Sequence, residues 1–251
     1  MLRMEIALLM VLAFVANVYF SAGRKNTPLH RTFSVLLVAA LINLVLDGVT
    51  VYTVHHLETV PRFLNDAVHR LFLGSMVLVI YLFYQYIAIL VEEETGKTRR
   101  LDRPARLFLV VAELGNFLLP ISYTVTAEGN YSSGPYMLVP YGAVACAGLL
   151  VVNRRQIDKK KKSVIGIALA IEFVVCVLQG LHHTWLISGM GITLMTLSFY
   201  LTLENPEALR AELTEQKMSM LYLKSQVNPH FLYNTLDTIR IQAQLNGDKT
   251  V

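Results

Sequence analysis

Apolar residues in this chain fall into long, nearly unbroken runs rather than the alternating or one-faced patterns of a soluble fold. Seven runs approach the ~20 residues that a helix needs to cross a hydrocarbon core about 30 Å thick; they cover about 4–21, 32–54, 71–91, 107–125, 136–152, 164–181 and 184–201. The first lies where a signal peptide would. It lacks a strongly basic leader and a clear small-x-small cleavage site, so it reads as an uncleaved span. Pro140 and Gly142 interrupt the fifth, and little more than His182 and His183 separates the last two, which predicts a tight helical hairpin there. The predicted fold class is all-α: a seven-helix transmembrane bundle over 1–203 and a cytoplasmic signalling helix over 204–251.

The pattern changes at Glu204. Asn205, Pro206 and Glu207 form a helix start, with asparagine as N-cap, proline at the first helical position and an acid favoured by the helix dipole. Leu209, Leu213, Met220, Leu223 and Val227 then recur at spacings of three, four and seven, an amphipathic stripe that could pair in a parallel dimer. Pro229 removes a backbone donor and predicts a break. Beyond it Leu232, Leu236, Ile239 and Ala243 form a fresh stripe, and Gln226, His230, Asn234 and Asp237 share the opposite, polar face.

Composition agrees with a membrane protein. The chain is 54% hydrophobic and 16% charged, against roughly 25% charged in an ordinary globular domain, and its mean hydropathy is +0.48. A soluble enzyme and a secreted disulfide scaffold are thereby excluded; Cys146 and Cys176 both lie inside apolar runs, where a thiol acts as a small hydrophobe. The net charge of +4 matters for orientation rather than for nucleic acid. Fourteen basic residues fall in the loops after the first, third and fifth runs, ending in Lys159–Lys162, and only Arg3, Arg62 and Arg70 lie on the other side. Positive loops stay in the cytoplasm and favour anionic lipid, which places the N-terminus outside and the C-terminus inside. Aromatic residues near the run ends (Tyr19, Tyr52, Tyr123, Tyr136, Trp185, Tyr200) fit interfacial belts.

Three acids fall within the runs with no Lys or Arg beside them: Asp47, Glu113 and Glu172. Each shares a helix face with an amide, Asn43, Asn116 and Gln179 respectively. Acids without cationic partners in lipid mark a cavity, a proton path or a ligand site, or are protonated and bonded between helices. Asp47, Glu113, Asn116, Glu172 and Gln179 are therefore the candidate sensing residues. Five histidines (His55, His56, His69, His182, His183) fall at outer run ends, but neighbours about 100° apart on a helix do not chelate one ion, and the spacing carries no zinc signature.

The residues from Leu223 to Leu236, read L-K-S-Q-V-N-P-H-F-L-Y-N-T-L, resemble the phosphoacceptor box of LytS-like sensor histidine kinases, with a tyrosine at 233 where phenylalanine is commoner. The resemblance covers the last forty or so residues directly, and the seven-run region more loosely resembles membrane receptors found ahead of bacterial signalling domains. It implies that His230 takes the γ-phosphoryl group of ATP, that Pro229 shapes the helix around it, and that Asn228, Asn234 and Gln226 flank and orient the imidazole. It further implies a protein-histidine kinase of a two-component system in the bacterial plasma membrane that works as a homodimer. Its expected partners are membrane lipid, a response regulator whose aspartate receives the phosphoryl group, and an unidentified small ligand or peptide as stimulus, without nucleic acid. ATP and Mg²⁺ are its cofactors. No glycine-rich phosphate loop follows the box before Val251, and Gly189-x-Gly191 lies inside a run where it reads as a packing or kink feature. The expectation is a chain truncated before its ATP-binding domain and inactive by itself. Two other readings stay open: a small transporter or channel, and a non-catalytic receptor or decoy.

Overall fold

The computed structural model describes residues 2–22, 27–96, 102–126, 129–136, 138–182, 185, 187–226 and 229–247. The chain divides into two compact units, Met1–Glu204 and Asn205–Val251. The first contains seven α-helices among the described residues: α1 (Leu2–Ser21), α2 (Pro28–His55), α3 (Arg62–Thr95), α4 (Asp102–Leu118), α5 (Leu138–Val152), α6 (Lys159–Leu181) and α7 (Ser188–Phe199). A π-helical turn, Tyr200–Glu204, continues α7. Four helices are long and apolar enough to cross a membrane: Met4–Ser21 within α1, then α2, α3 and α6. The others are shorter, so seven full-length crossings do not follow from length and composition.

Three expectations need correction. The fourth run does not stay helical to Val125: α4 stops at Leu118, and an antiparallel hairpin follows, β1 (Ser122–Thr126) paired with β2 (Gly129–Ser133). Pro120 cannot continue a helix, and the Ser-Tyr-Thr-Val-Thr segment that follows is β-branched and aromatic. The two short strands are a small addition to an all-helical fold. Pro140 does not break the fifth run either, because α5 begins at Leu138 and the proline falls in its first turn, whose N–H groups have no intrahelical acceptor. Nor do all the aromatic residues form a belt. Tyr19 and Tyr200 are buried, and the Tyr19 hydroxyl donates to the His30 carbonyl at 2.9 Å.

Helix ends follow local chemistry. Thr27 caps α2, its hydroxyl accepting from the His30 N–H at 3.2 Å, with Pro28 at the first helical position. Asp158 caps α6 by accepting from the Lys160 and Lys161 N–H groups, and those backbone donors hold its carboxyl below the usual carboxylate range. α3 ends at Gly96, whose φ of 64° suits a residue without a Cβ.

The long helix α3 is the centre of the bundle. Its 34 residues rise about 51 Å, longer than a bilayer core is thick. It packs against α2, α4 and α5, and the ring is completed by α5 on α6, α6 on α7, and α7 on both α1 and α2. The core is aromatic where these meet: Phe33, Phe83, Tyr86 and Phe199 are fully buried, and Phe83 and Tyr86 each lie about 5 Å from Phe199, ring to ring. The lipid-type exterior is equally clear on α4, where Leu107, Val110, Val111, Leu114 and Phe117 are all more than half exposed. The hairpin covers one end of the bundle, anchored by Asn130 donating to the Val54 carbonyl at 3.0 Å. At the other end, Lys161 of α6 pairs with Glu94 of α3 at 2.5 Å.

The second unit contains α8 (Pro206–Gln226) and α9 (Pro229–Leu245). The chain therefore restarts its helix at Pro229, where a missing N–H is harmless. On these helices Leu213, Met220, Leu223, Leu232, Leu236 and Ile239 are exposed.

Candidate functional site

The segment that resembles a phosphoacceptor box spans the end of α8 and the start of α9. The backbone of His230 lies in the first turn of that helix, one residue after Pro229, and Gln226 ends α8. Asn228 lies outside the described residues, as does Val227. Asn234 is exposed one turn along α9, and its carbonyl accepts from the Thr238 hydroxyl at 2.7 Å. Asp237, on the same predicted polar face, pairs with Arg240 at 2.9 Å on the exposed surface.

The candidate sensing residues gather in the half of the bundle nearest the hairpin, but not in one place. Asp47 and Glu172 are both buried, and each is seated against a glycine of α7. A Cβ on Gly189 would stand 2.6 Å from Asp47 Oδ2, and one on Gly191 would collide with the Glu172 carboxylate. Gly189-x-Gly191 is thus a packing feature of a specific kind, since it makes room for two carboxylates where α7 meets α2 and α6. Glu113 repeats the arrangement on α4, with its carboxylate 2.9 Å from where a Cβ on Gly74 would sit. The neighbouring amide joins α4 to α3. Asn116 donates to the Arg70 carbonyl at 3.0 Å, and the Arg70 guanidinium donates back to the Asn116 carbonyl and, at 3.2 Å, to that of Leu119. Arg70 therefore caps the C-terminal end of α4.

Glu172 and Gln179 do come together. They line a cavity of about 260 Å³ bounded by α3, α5, α6, the start of α7 and the second hairpin strand. Asn43, paired with Asp47 in the sequence pattern, instead donates to the Ser75 hydroxyl at 2.7 Å, tying α2 to α3.

Three features escaped the sequence reading. Glu5, inside the first run, is a further buried acid in addition to Asp47 and Glu172, 3% exposed and close to Gly48 of α2; its position near the chain start hid it among apparent leader residues. His69 is fully buried and meets the Tyr136 hydroxyl at 2.5 Å, with Ser132 at 2.7 Å from that same hydroxyl. His55 and His56 turn their Nδ1 atoms back to carbonyls of their own helix, both at 2.8 Å, and His182 stacks on Trp185; His183 lies outside the described residues. Among the described residues no group of three His, Cys, Asp or Glu could hold a metal ion.

The third feature is at the opposite end. Glu204 closes the π-helical turn, is 2% exposed, and accepts from two helices at once: His30 Nδ1 of α2 at 2.6 Å and the Tyr86 hydroxyl of α3 at 2.8 Å. π-turns inside helices recur at functional positions, and this one holds the last residue of the first unit. An acid at the end of an apolar run carries no periodic signal, so only the fold reveals its partners.

Residues 218–251 match the family model described as histidine kinase. No curated protein matches the chain at a significant level. The matched segment contains the whole of α9 and the end of α8. The match supports histidine-kinase signalling in general, a transferase-type activity that uses ATP and Mg²⁺, with dimerisation and a response regulator as the family's habit.

Proposed function

We propose that the chain is the membrane sensor and phosphoacceptor portion of a LytS-like histidine kinase of a two-component system. The single observation that carries this is the family match over 218–251, with His230 inside it one residue after a helix-starting proline. In this reading 1–203 is the sensor and 204–251 the dimerisation and phosphoacceptor segment. The basic loops lie in the cytoplasm, and the hairpin end faces outside the bacterial plasma membrane.

At cytoplasmic pH a neutral imidazole is a competent nucleophile. A ring nitrogen of His230 forms a bond to the γ-phosphorus as the bond to the bridging oxygen of ADP breaks. The phosphoryl group then passes from nitrogen to a response-regulator aspartate. Bound ATP and Mg²⁺ supply the phosphoryl group and its charge neutralisation. This chain's part is to hold the acceptor: Pro229 starts the helix at the acceptor, and Asn228, Asn234 and Gln226 orient the ring or its phosphorylated form. Asp47, Glu113, Asn116, Glu172 and Gln179 are the sensing candidates, with Glu172 and Gln179 favoured because they share a cavity. The tie from Glu204 to His30 and Tyr86 supports transmission, because movement of α7 in response to a stimulus must strain or release it just before the signalling segment begins.

The test is phosphorylation in trans. Supplied with ATP, Mg²⁺ and the catalytic domain of a related kinase, the chain is expected to acquire acid-labile, alkali-stable phosphate. His230→Gln keeps size and hydrogen bonding but lacks the nucleophilic ring nitrogen, and is expected to abolish labelling with helicity unchanged. Labelling that persists in His230→Gln removes the assignment.

A further inference from the structure

The cavity near the hairpin has the chemistry of a receptor for one kind of molecule. Its volume of about 260 Å³ is just below the ~300 Å³ at which drug-sized pockets begin, so its occupant is small. Glu172 lines it, is 2% exposed, and has one oxygen, Oε2, with no hydrogen-bond partner; the other faces only the weak Cys176 thiol donor at 3.9 Å. Ser188 also lines it and is 5% exposed; its hydroxyl makes no close hydrogen bond but faces the Asp47 carboxylate. Among the described residues no Lys or Arg lines the cavity. A buried carboxylate with unused acceptor capacity, sharing its cavity with a hydroxyl that faces a second carboxylate, calls for a ligand that donates several hydrogen bonds and carries positive charge. A single carboxylate is too few ligands for a metal ion. Met76, Val139, Pro140 and Val175 add apolar lining, wanting a short hydrocarbon body.

The depth fits as well. Gln179 lies seven residues beyond Glu172 on α6, about 10 Å along the helix, and Ser132 and Ser133 of the hairpin line the same space. The cavity thus runs from the hairpin end of the bundle down to the carboxylate. Gly191 keeps that floor open, since a side chain there would collide with the Glu172 carboxylate.

We infer that this cavity binds a small organic ammonium ion, a primary amine on a short apolar body, with its charged group on Glu172 and Ser188. The inference deepens the sensor reading and rests on it for purpose, not for binding. A free amine and the ammonium of a phosphatidylethanolamine headgroup share this chemistry, and the test separates them.

The full chain is placed in phosphatidylglycerol nanodiscs, and phenylethylammonium is titrated by calorimetry against empty discs. Saturable binding of one molecule per chain is expected. It should weaken at least tenfold in Glu172→Gln and in Val175→Phe, which fills the cavity, and persist in Glu113→Gln, a similar membrane acid elsewhere. The neutral isostere 2-phenylethanol and the anionic 3-phenylpropionate should not compete. The bound amine should also slow alkylation of Cys176, with Cys176→Ser as the blank. Loss of the amine signal when phosphatidylethanolamine is added to the discs would assign the site to the headgroup, and retention would assign it to a free amine. Absence of saturable binding, equal binding of 2-phenylethanol, or unchanged binding in both Glu172→Gln and Val175→Phe overturns the inference. None of these readouts uses phosphorylation, so a chain that binds amine but never labels at His230 would sink the kinase reading alone.

Discussion

Glu204 is served by donors from two different helices, so its role can be measured by removing them one at a time. Tyr86→Phe deletes the hydroxyl at 2.8 Å and leaves a buried carboxylate oxygen short of a donor. Such losses cost roughly 1–3 kcal/mol. Thermal melting in nanodiscs is expected to show a lower midpoint for Tyr86→Phe and for His30→Ala. Because both variants act on one carboxylate, the double variant should lose less than the sum of the two. Strict additivity would show that the two contacts do not work as a unit. Glu172 differs in kind: it lines a cavity and has one oxygen without a hydrogen-bond partner, whereas Glu204 is locked by two donors.

At the scale of elements, α7 is distinguished by what it lacks. Its glycines at 189 and 191 face carboxylates of α2 and α6, so these helices approach more closely than side chains would allow. Gly189→Val would press on Asp47 Oδ2 and on Leu44 Cδ2, which stand 2.6 and 2.8 Å from the Cβ position. Overpacking of that kind costs about 1–3 kcal/mol, and a reduced melting temperature is the expected result. Gly180→Val, at a glycine whose Cβ would meet nothing within 4 Å, should melt like the parent protein. If the two variants behave alike, the tight seating of α7 is not what holds this part of the bundle. In the tail, the exposed stripe of Leu232, Leu236 and Ile239 has the pattern of a face made for another helix. Leu236→Glu is expected to reduce chemical cross-linking between two copies of the chain. Undiminished cross-linking would place the dimer contact elsewhere.

For the whole molecule the decisive quantity is orientation. A single cysteine at Gly129, in the hairpin, should react with a membrane-impermeant maleimide on intact cells, in a background lacking Cys146 and Cys176. One at Lys160, beside the basic run, should react only after permeabilisation. Reaction at 129 only after permeabilisation, with reaction at 160 on intact cells, would reverse the bundle and place the amine cavity toward the cytoplasm.

Much of this was legible from the order of residues alone. Long apolar runs mark helices because burying a backbone in lipid requires internal hydrogen bonding, and that requirement is local. The change of character at Glu204, the proline restart at 229 and the segment resembling a phosphoacceptor box are local as well, and so were visible without a fold. Other features depended on which helices touch. Pro120 ended α4 earlier than hydropathy implied, because hydropathy does not distinguish an apolar helix from an apolar strand. Asp47, Glu113 and Glu172 looked equivalent in the sequence. Packing separated them, giving two of them glycine seats on α7 and placing Glu172 on the wall of a cavity. His30, Tyr86 and Glu204 lie far apart in the chain, and the bundle brings them within hydrogen-bond reach. Local free energies decide where a helix forms; long-range packing decides which polar groups inside the membrane meet a partner and which are left open to a ligand.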